Sequence, residues 1–111
     1  MKHHRLDDMV KGWFVGDFSP AAFGSRDVEV ALKTYAAGER EGAHHHRIAT
    51  ELTLIVSGEA RMLGRTWVAG DIVTIEPGEV TAFEALSAVT TVVVKLPSAA
   101  NDKFLDHPTP D

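Results

Sequence analysis

Three consecutive histidines and a nearby glutamate are the residues of this chain best suited to chemistry. His44-His45-His46 follows a glycine-containing loop, and Glu51 comes five residues after His46. Because side chains two residues apart on an extended segment point to the same side, His44 and His46 can converge on one point while His45 faces away. Two imidazoles and one carboxylate suit a divalent ion such as Fe, Mn, Ni, Zn or Cu. The chain has no cysteine, so such a site would use nitrogen and oxygen ligands alone.

Strands are the elements that must hold these residues. Several segments alternate between two sets of side chains or are rich in β-branched residues, and no window between residues 27 and 97 has helical periodicity. Turn signals separate the segments at intervals of about 8–12 residues, which is typical of sandwiches and barrels. Residues 38–42 are predicted to be a loop, and Gly64-Arg65 the turn of a hairpin. The predicted strands cover residues 28–35, 52–57, 60–63, 66–69, 71–75, 81–85 and 89–96.

The same pattern predicts a single all-β domain. Residues 27–97 are interpreted as a barrel core and residues 1–26 as a covering segment, in which residues 12–18 could instead be an edge strand and residues 20–22 could start a short helical turn. Residues 98–111 are predicted to be an extended or flexible tail, because two prolines and two aspartates follow Leu105. A length of 111 residues is enough for one domain with one hydrophobic core.

Composition argues against nucleic acid and anionic membranes as partners. The chain has 11 lysines and arginines against 16 aspartates and glutamates, a net charge of −5, and no basic run. No apolar run is long enough to form a transmembrane helix, and the first residues lack the apolar stretch of a signal peptide. These features favour a cytoplasmic protein.

The segment around the histidines resembles the first motif of the cupin family. In cupins this motif runs glycine, five residues, His-x-His, three or four residues, glutamate, six residues and glycine. Gly38, His44, His46, Glu51 and Gly58 match every fixed position. The resemblance implies a cupin double-stranded β-helix, a jelly-roll barrel, which agrees with the strand spacing.

The second cupin motif is matched only in part. It runs glycine, five residues, proline, one residue, glycine, two residues, histidine, three residues and asparagine. Gly70 and Gly78 match, whereas Glu76, Thr81 and Ala85 replace the proline, the histidine and the asparagine. Departures at these positions put the family's fourth metal ligand in doubt.

The resemblance therefore implies an incomplete set of metal ligands. In metal-binding cupins both first-motif histidines, the glutamate and the second-motif histidine hold one ion, so His44, His46 and Glu51 are the implied ligands, with Thr81 at the fourth position. One outcome is an ion with open positions for water and substrate, similar to the facial triad of non-haem iron enzymes. The other is weak or absent metal binding, because a neutral hydroxyl is a poorer ligand than an imidazole.

Four residues are candidates for the lining of a pocket. Thr81 takes the fourth ligand position, and Glu79 and Phe83 lie two residues on either side of it, so they share its face if the segment is extended. Tyr35 immediately precedes the glycine loop and is expected at the mouth of the barrel. No further histidine or lysine in the predicted barrel stands out as a general base.

Two classes of function remain open from the sequence. One is a metal-dependent enzyme acting on a small molecule, as an oxygenase, an isomerase or a lyase. The alternative is a non-catalytic cupin that binds a sugar or an acid and has a degenerate or empty metal site. An apolar edge near Trp13 and Phe14, together with the resemblance to small cupins, predicts a homodimer.

Overall fold

A computed structural model describes residues 1–106, whose regular structure is almost entirely β. The predicted all-β class is confirmed. A short 3₁₀ helix covers Leu6–Asp8, and no helix in this part of the chain is long and apolar enough to cross a membrane. The strands are β1 (Trp13–Gly16), β2 (Phe23–Gly24), β3 (Glu29–Tyr35), β4 (Arg40–His45), β5 (Thr50–Ser57), β6 (Glu59–Met62), β7 (Arg65–Val68), β8 (Ile72–Ile75), β9 (Thr81–Ala85), β10 (Val89–Leu96) and β11 (Phe104–Leu105).

The strands form two sheets that pack face to face. One sheet has six strands in the order β2-β1-β3-β10-β5-β8, and the other has five in the order β11-β4-β9-β6-β7. Strands β3 and β10 pair although they are far apart in sequence, as do β4 and β9, so most neighbours in each sheet are joined by long connections. This is the topology of a jelly-roll barrel.

The apolar core lies at one end of the space between the sheets. Its buried members come from both sheets, and Tyr35 and Trp67 pack against them. Along β10 the inner wall changes from Val89 at the apolar end to Lys95 at the other. Polar side chains therefore collect at the second end of the barrel. The core consists of Ile55, Ala60, Met62, Val73, Ile75, Phe83, Ala85 and Val89.

On β5, the inner face carries the more polar of the two alternating sets. Thr53 and Ile55 are buried, whereas Leu52 and Leu54 are half-buried on the outer face and Val56 is 47% exposed. The period of two is present as predicted, but hydrophobicity alone would have placed the leucines inside. The tertiary pairing of β5 with β10 and β8 decides which face looks into the barrel.

Two predicted boundaries need correction. The predicted loop at residues 38–42 ends early, because pairing with β9 starts β4 at Arg40, and a bulge between Glu41 and His44 accommodates Gly42. The hairpin turn lies one residue earlier than predicted: Leu63 and Gly64, with φ of 55° and 71°, supply the two positive φ values that a type I′ turn requires.

The chain ends also differ from expectation. Strand β1 lies within the six-stranded sheet, between β2 and β3, and the short helical turn predicted at residues 20–22 is absent, because the chain bends there into β2. In the predicted tail, β11 pairs with β4 beside the histidines. The rest of that tail, from His107 onwards, lies outside the described residues.

Candidate functional site

The polar end of the barrel contains a cavity of about 480 Å³, a volume that includes space open to solvent. Both sheets contribute to its wall: Lys33 and Thr91 come from the six-stranded sheet, and His44, Thr81 and Phe83 from the five-stranded one. Polar groups that converge on a recess between packed elements are a usual setting for a small-molecule site.

His44 lies at the end of β4 and is buried. Its Nδ1 lies 2.9 Å from the carbonyl oxygen of Gly42 and must donate to it, because a carbonyl only accepts. The neutral ring therefore keeps its Nε2 lone pair free. Histidines that bind a metal or accept a proton usually have their tautomer fixed by such a hydrogen bond from the other ring nitrogen.

His46 is buried next to His44, with the ring centroids 5.4 Å apart and the planes at 81°. Its Nε2 is buried and has no hydrogen-bond partner among the described residues. Burial, helped by the positive charge of Lys95, lowers the pKa of His46 to about 4. The ring is consequently neutral at neutral pH.

Glu51 shares the cavity wall with His44 but does not meet both histidines at once. One carboxylate oxygen accepts a hydrogen bond of 3.1 Å from the hydroxyl of Thr53, and His46 lines an adjoining recess instead. Within residues 1–106, no three His, Cys, Asp or Glu side chains are grouped closely enough to hold a metal ion. The metal ligand set of His44, His46 and Glu51 therefore stays a prediction.

Asp102 fixes the loop that follows His46. Its buried carboxylate accepts hydrogen bonds from the backbone N–H groups of Arg47, Ile48 and Ala49, at 2.9 to 3.2 Å. Burial alone would raise the pKa of Asp102, but these hydrogen bonds outweigh it and lower the pKa below its usual value. This support could not be predicted from the sequence, because the partners are more than 50 residues apart.

His45 faces away from the cavity. Its Nδ1 lies 2.8 Å from the carboxylate of Asp106, and its ring stacks on Phe104 at a centroid distance of 5.4 Å. The guanidinium of Arg47 lies over the same Phe104 ring, 3.8 Å from its centroid. These contacts attach β11 to the outside of β4.

Three of the four predicted pocket residues line the cavity. Thr81 is in register with His44 and is 4% exposed, and its hydroxyl has no partner. Tyr35 and Phe83 lie against each other, with ring centroids 4.5 Å apart. Glu79 does not line the cavity: it is exposed in the turn before β9 and accepts a hydrogen bond from the backbone N–H of Glu76. The extended segment begins only at Thr81, so the alternation does not reach residue 79.

Two lysines in the barrel were missed by sequence reasoning, which had nominated none. Lys33 and Lys95 line the cavity, and their Nζ atoms lie 5.3 and 5.0 Å from the ring centroid of Trp13. Lys33 pairs with Glu41 at 3.5 Å and Lys95 with Glu29 at 3.8 Å. Burial lowers the pKa of Lys95, against the opposing charges of nearby carboxylates. The available signal was each lysine's period-two spacing from an inward-facing neighbour.

Tyr35 and Glu41 form a second polar group in the cavity. The phenol donates a 2.8 Å hydrogen bond to Glu41. Burial and then the charge of Glu41 raise the pKa of Tyr35 well above its usual value, so the phenol stays protonated. Burial would raise the pKa of Glu41, but the charge of Lys33 and the Tyr35 hydrogen bond together lower it, so Glu41 is a carboxylate. The cavity thus has one hydrogen-bond donor, the phenol of Tyr35, beside one hydrogen-bond acceptor, the carboxylate of Glu41.

Comparison with known proteins identifies the fold of the chain but not its function. No protein-family model matches the chain, and no curated protein matches it significantly. Solved structures do match. An uncharacterised conserved protein from Klebsiella pneumoniae with a double-stranded β-helix domain superposes with a TM-score of 0.67 and 25% identity, covering 73% of this chain and 71% of that one. Cupin proteins are among the other matching structures.

The chain has the cupin fold.

Enzymes also share this cupin barrel. The DMSP lyase DddQ from Ruegeria pomeroyi matches with a TM-score of 0.73 and 21% identity, over 89% of this chain and 52% of the lyase. Oxalate decarboxylase from Bacillus subtilis, a protein with Mn(II) centres, matches with a TM-score of 0.62 and 19% identity, over 73% of this chain and 24% of the decarboxylase. At such identities the likeness concerns fold alone, and function must be argued from the site.

Proposed function

We propose that this cupin binds a small molecule in its cavity and acts on it with a divalent transition metal held by His44, His46 and Glu51. The observation that carries the proposal is the buried Nε2 of His46, which has no hydrogen-bond partner in the described structure. A buried polar atom without a partner is costly, and its presence calls for a ligand such as an ion.

The donor set fits such an ion in its chemistry. The imidazoles of His44 and His46 are adjacent, and His44 keeps its Nε2 free by donating from Nδ1 to Gly42. Glu51 would complete the set by exchanging its hydrogen bond with Thr53 for the ion. Two imidazoles and one carboxylate suit Fe, Mn, Ni or Zn.

The chain's own residues would bind and orient the substrate near this position. A bound divalent ion would act as a Lewis acid towards a substrate oxygen or water. Tyr35 stays protonated and Glu41 stays a carboxylate on the cavity wall, so the phenol can donate a hydrogen bond and the carboxylate can accept one. Since the pKa of Tyr35 is raised and that of Glu41 is lowered, both away from neutral pH, these groups suit the positioning of a substrate better than proton transfer.

Metal content of protein never exposed to a nickel column tests the proposal. Plasma mass spectrometry is expected to find near-stoichiometric metal in the wild type and little in the His44→Ala/His46→Ala double variant. His3 and His4 remain in both proteins as an internal control for adventitious binding. Absence of metal in the wild type, even after incubation with Fe(II), Mn(II), Ni(II) and Zn(II), would sink the proposal.

The alternative is a metal-free cupin that binds a sugar or an acid without turnover. It is favoured by Thr81, whose hydroxyl lies beside His44 where the family's fourth ligand would be. A binder of this kind would keep its ligand affinity after chelation and in the His44→Ala variant, whereas the metalloenzyme would lose activity in both.

A further inference from the structure

The cavity gathers lysines although the chain as a whole is acidic. The protein has a net charge of −5, yet the cavity wall carries three lysines and two glutamates, and Glu29 beside the wall pairs with Lys95. In a recess with low-dielectric walls, ammonium groups attract an anion more strongly than they do in open solvent. The cavity therefore offers cationic hydrogen-bond donors to an anion in an otherwise acidic protein.

The two best-placed lysines have donors to spare. The side chains of Lys33 and Lys95 are 20% and 15% exposed, and their ion pairs are long, at 3.5 and 3.8 Å. Each ammonium group has three N–H donors. The ring of Trp13 lies about 5 Å from both Nζ atoms and holds the two lysines on the same wall.

Two hydroxyl groups on the same cavity point to a ligand independently of charge. Thr81 and Thr91 are 4% and 0% exposed, and neither Oγ1 has a partner among the described residues. Each hydroxyl can donate one hydrogen bond. A ligand with acceptor oxygens would satisfy these donors together with the lysine ammonium groups.

We propose that the ligand is a small organic carboxylate, whose oxygens accept hydrogen bonds from Lys33, Lys95 and the hydroxyls of Thr81 and Thr91. No arginine lines the described cavity, so the fork that favours phosphate is missing. The aromatic ring of Phe83 gives the organic part of the ligand an apolar wall. The inference rests on the proposed function only in placing the small molecule in this cavity, since it needs no metal.

Calorimetric titration of chelator-treated protein at fixed ionic strength tests the inference. The probes are acetate, malonate and benzoate, each matched with its uncharged amide, and inorganic phosphate. At least one carboxylate is expected to bind about tenfold or more tightly than its amide and than phosphate. The Lys33→Met and Lys95→Met variants should each weaken that binding about tenfold or more, whereas the exposed Lys2→Met should not change it.

The Thr91→Val variant protects the test against loss of folding. It keeps the shape of the side chain and removes a hydroxyl with no partner in the described structure, so the variant should fold normally. Its affinity for the carboxylate should nevertheless be several-fold lower than that of the wild type. Equal binding of acid and amide, preference for phosphate, or binding to none of the acids would each overturn the inference.

Metal analysis of the same preparations separates this inference from the proposed metal site. Stoichiometric metal with no carboxylate binding would refute the carboxylate and leave the metal site standing. Carboxylate binding in a protein that never takes up metal would refute the metal site and leave the carboxylate inference standing.

Discussion

Thr53 and Thr91 are both buried on the inner wall of the barrel, but only one of their hydroxyls has a partner. Thr53 donates to Glu51 at 3.1 Å, whereas Oγ1 of Thr91 has no partner in the described part of the chain. Burying a hydroxyl removes its hydrogen bonds to water, at a cost of about 1–3 kcal/mol when nothing replaces them. The unpartnered hydroxyl of Thr91 therefore lowers the stability of the ligand-free protein, as expected of a group that bonds to the proposed ligand.

The two threonines are therefore expected to respond differently to valine. Thr91→Val should leave the free energy of unfolding unchanged or raise it by about 1 kcal/mol, and Thr53→Val should lower it by about 1 kcal/mol. Urea unfolding of the ligand-free protein measures both, and each variant is the control for the other. A loss of stability in Thr91→Val as large as in Thr53→Val would contradict the assignment.

His46 should make the metal-free protein sensitive to mild acid. Its pKa is about 4 in the folded chain, against an ordinary value of 6.5. Between these values the unfolded chain binds a proton that the folded chain does not, so stability falls as the pH drops from about 6.5 towards 4. Across this range the free energy of unfolding, measured by urea unfolding at each pH, should change more steeply with pH in the wild type than in His46→Gln. Identical slopes would show that His46 titrates normally.

At the scale of elements, the sequence predicts the positions of strands more reliably than which face of each strand looks into the barrel. The bounds of β9 and β10 were predicted as Thr81–Ala85 and Val89–Leu96, because β-branched runs end there at turn residues and proline. Strand β4 is missing from the predicted strands, and residues 38–42 were predicted to be a loop, since Arg40 and Gly42 become strand residues only through pairing with β9. Local sequence patterns therefore identify most strands, but not the strand residues that depend on pairing with a distant strand.

The candidate site shows the same division. Its histidines could be nominated from spacing, because both ligands lie on one short segment. Lys33 and Lys95 could not, because period-two spacing shows which residues share a face but only the pairing of β3, β10 and β5 decides which face looks inward. Asp102 was beyond reach for the same reason: its partners at residues 47–49 are brought to it by the fold.

Loss of Asp102 should loosen the loop after His46. Asp102→Ala removes the acceptor for three backbone N–H groups and is expected to lower the free energy of unfolding by about 2–3 kcal/mol. Asp106→Ala is a matched control, because among residues 1–106 its partly exposed carboxylate bonds only to His45, and it should cost less than about 1 kcal/mol. Urea unfolding measures both. Equal losses would mean that the loop is held by other contacts.

At the scale of the whole molecule, the outer face of the six-stranded sheet is unusually apolar. The half-buried Leu54 and Val92 lie in register on adjacent strands, and Ile72 on the edge strand is 64% exposed. The apolar edge predicted near Trp13 and Phe14 is not the better surface, because the Trp13 ring lies against two lysines at the cavity. A contiguous apolar face of this kind is typical of a contact between protein chains.

We expect this face to form the predicted homodimer. Size-exclusion chromatography with light scattering should give about twice the chain mass of 12.0 kDa for the wild type. Leu54→Glu/Val92→Glu should shift it to the monomer, because charges buried in an apolar contact are costly. Arg61→Glu, exposed on the other sheet, should leave the dimer intact. A wild type that is monomeric at all concentrations would remove the prediction.

The segment that supports the histidines has a consequence for the timing of synthesis. The carboxylate of Asp102 and strand β11 hold a loop and a strand made more than 50 residues earlier. A growing chain that has emerged only as far as β10 has both histidines but neither of these supports. The supports of the histidine segment are thus the last parts of the barrel to leave the ribosome, and the loop after His46 has no acceptor for its backbone N–H groups until Asp102 has emerged.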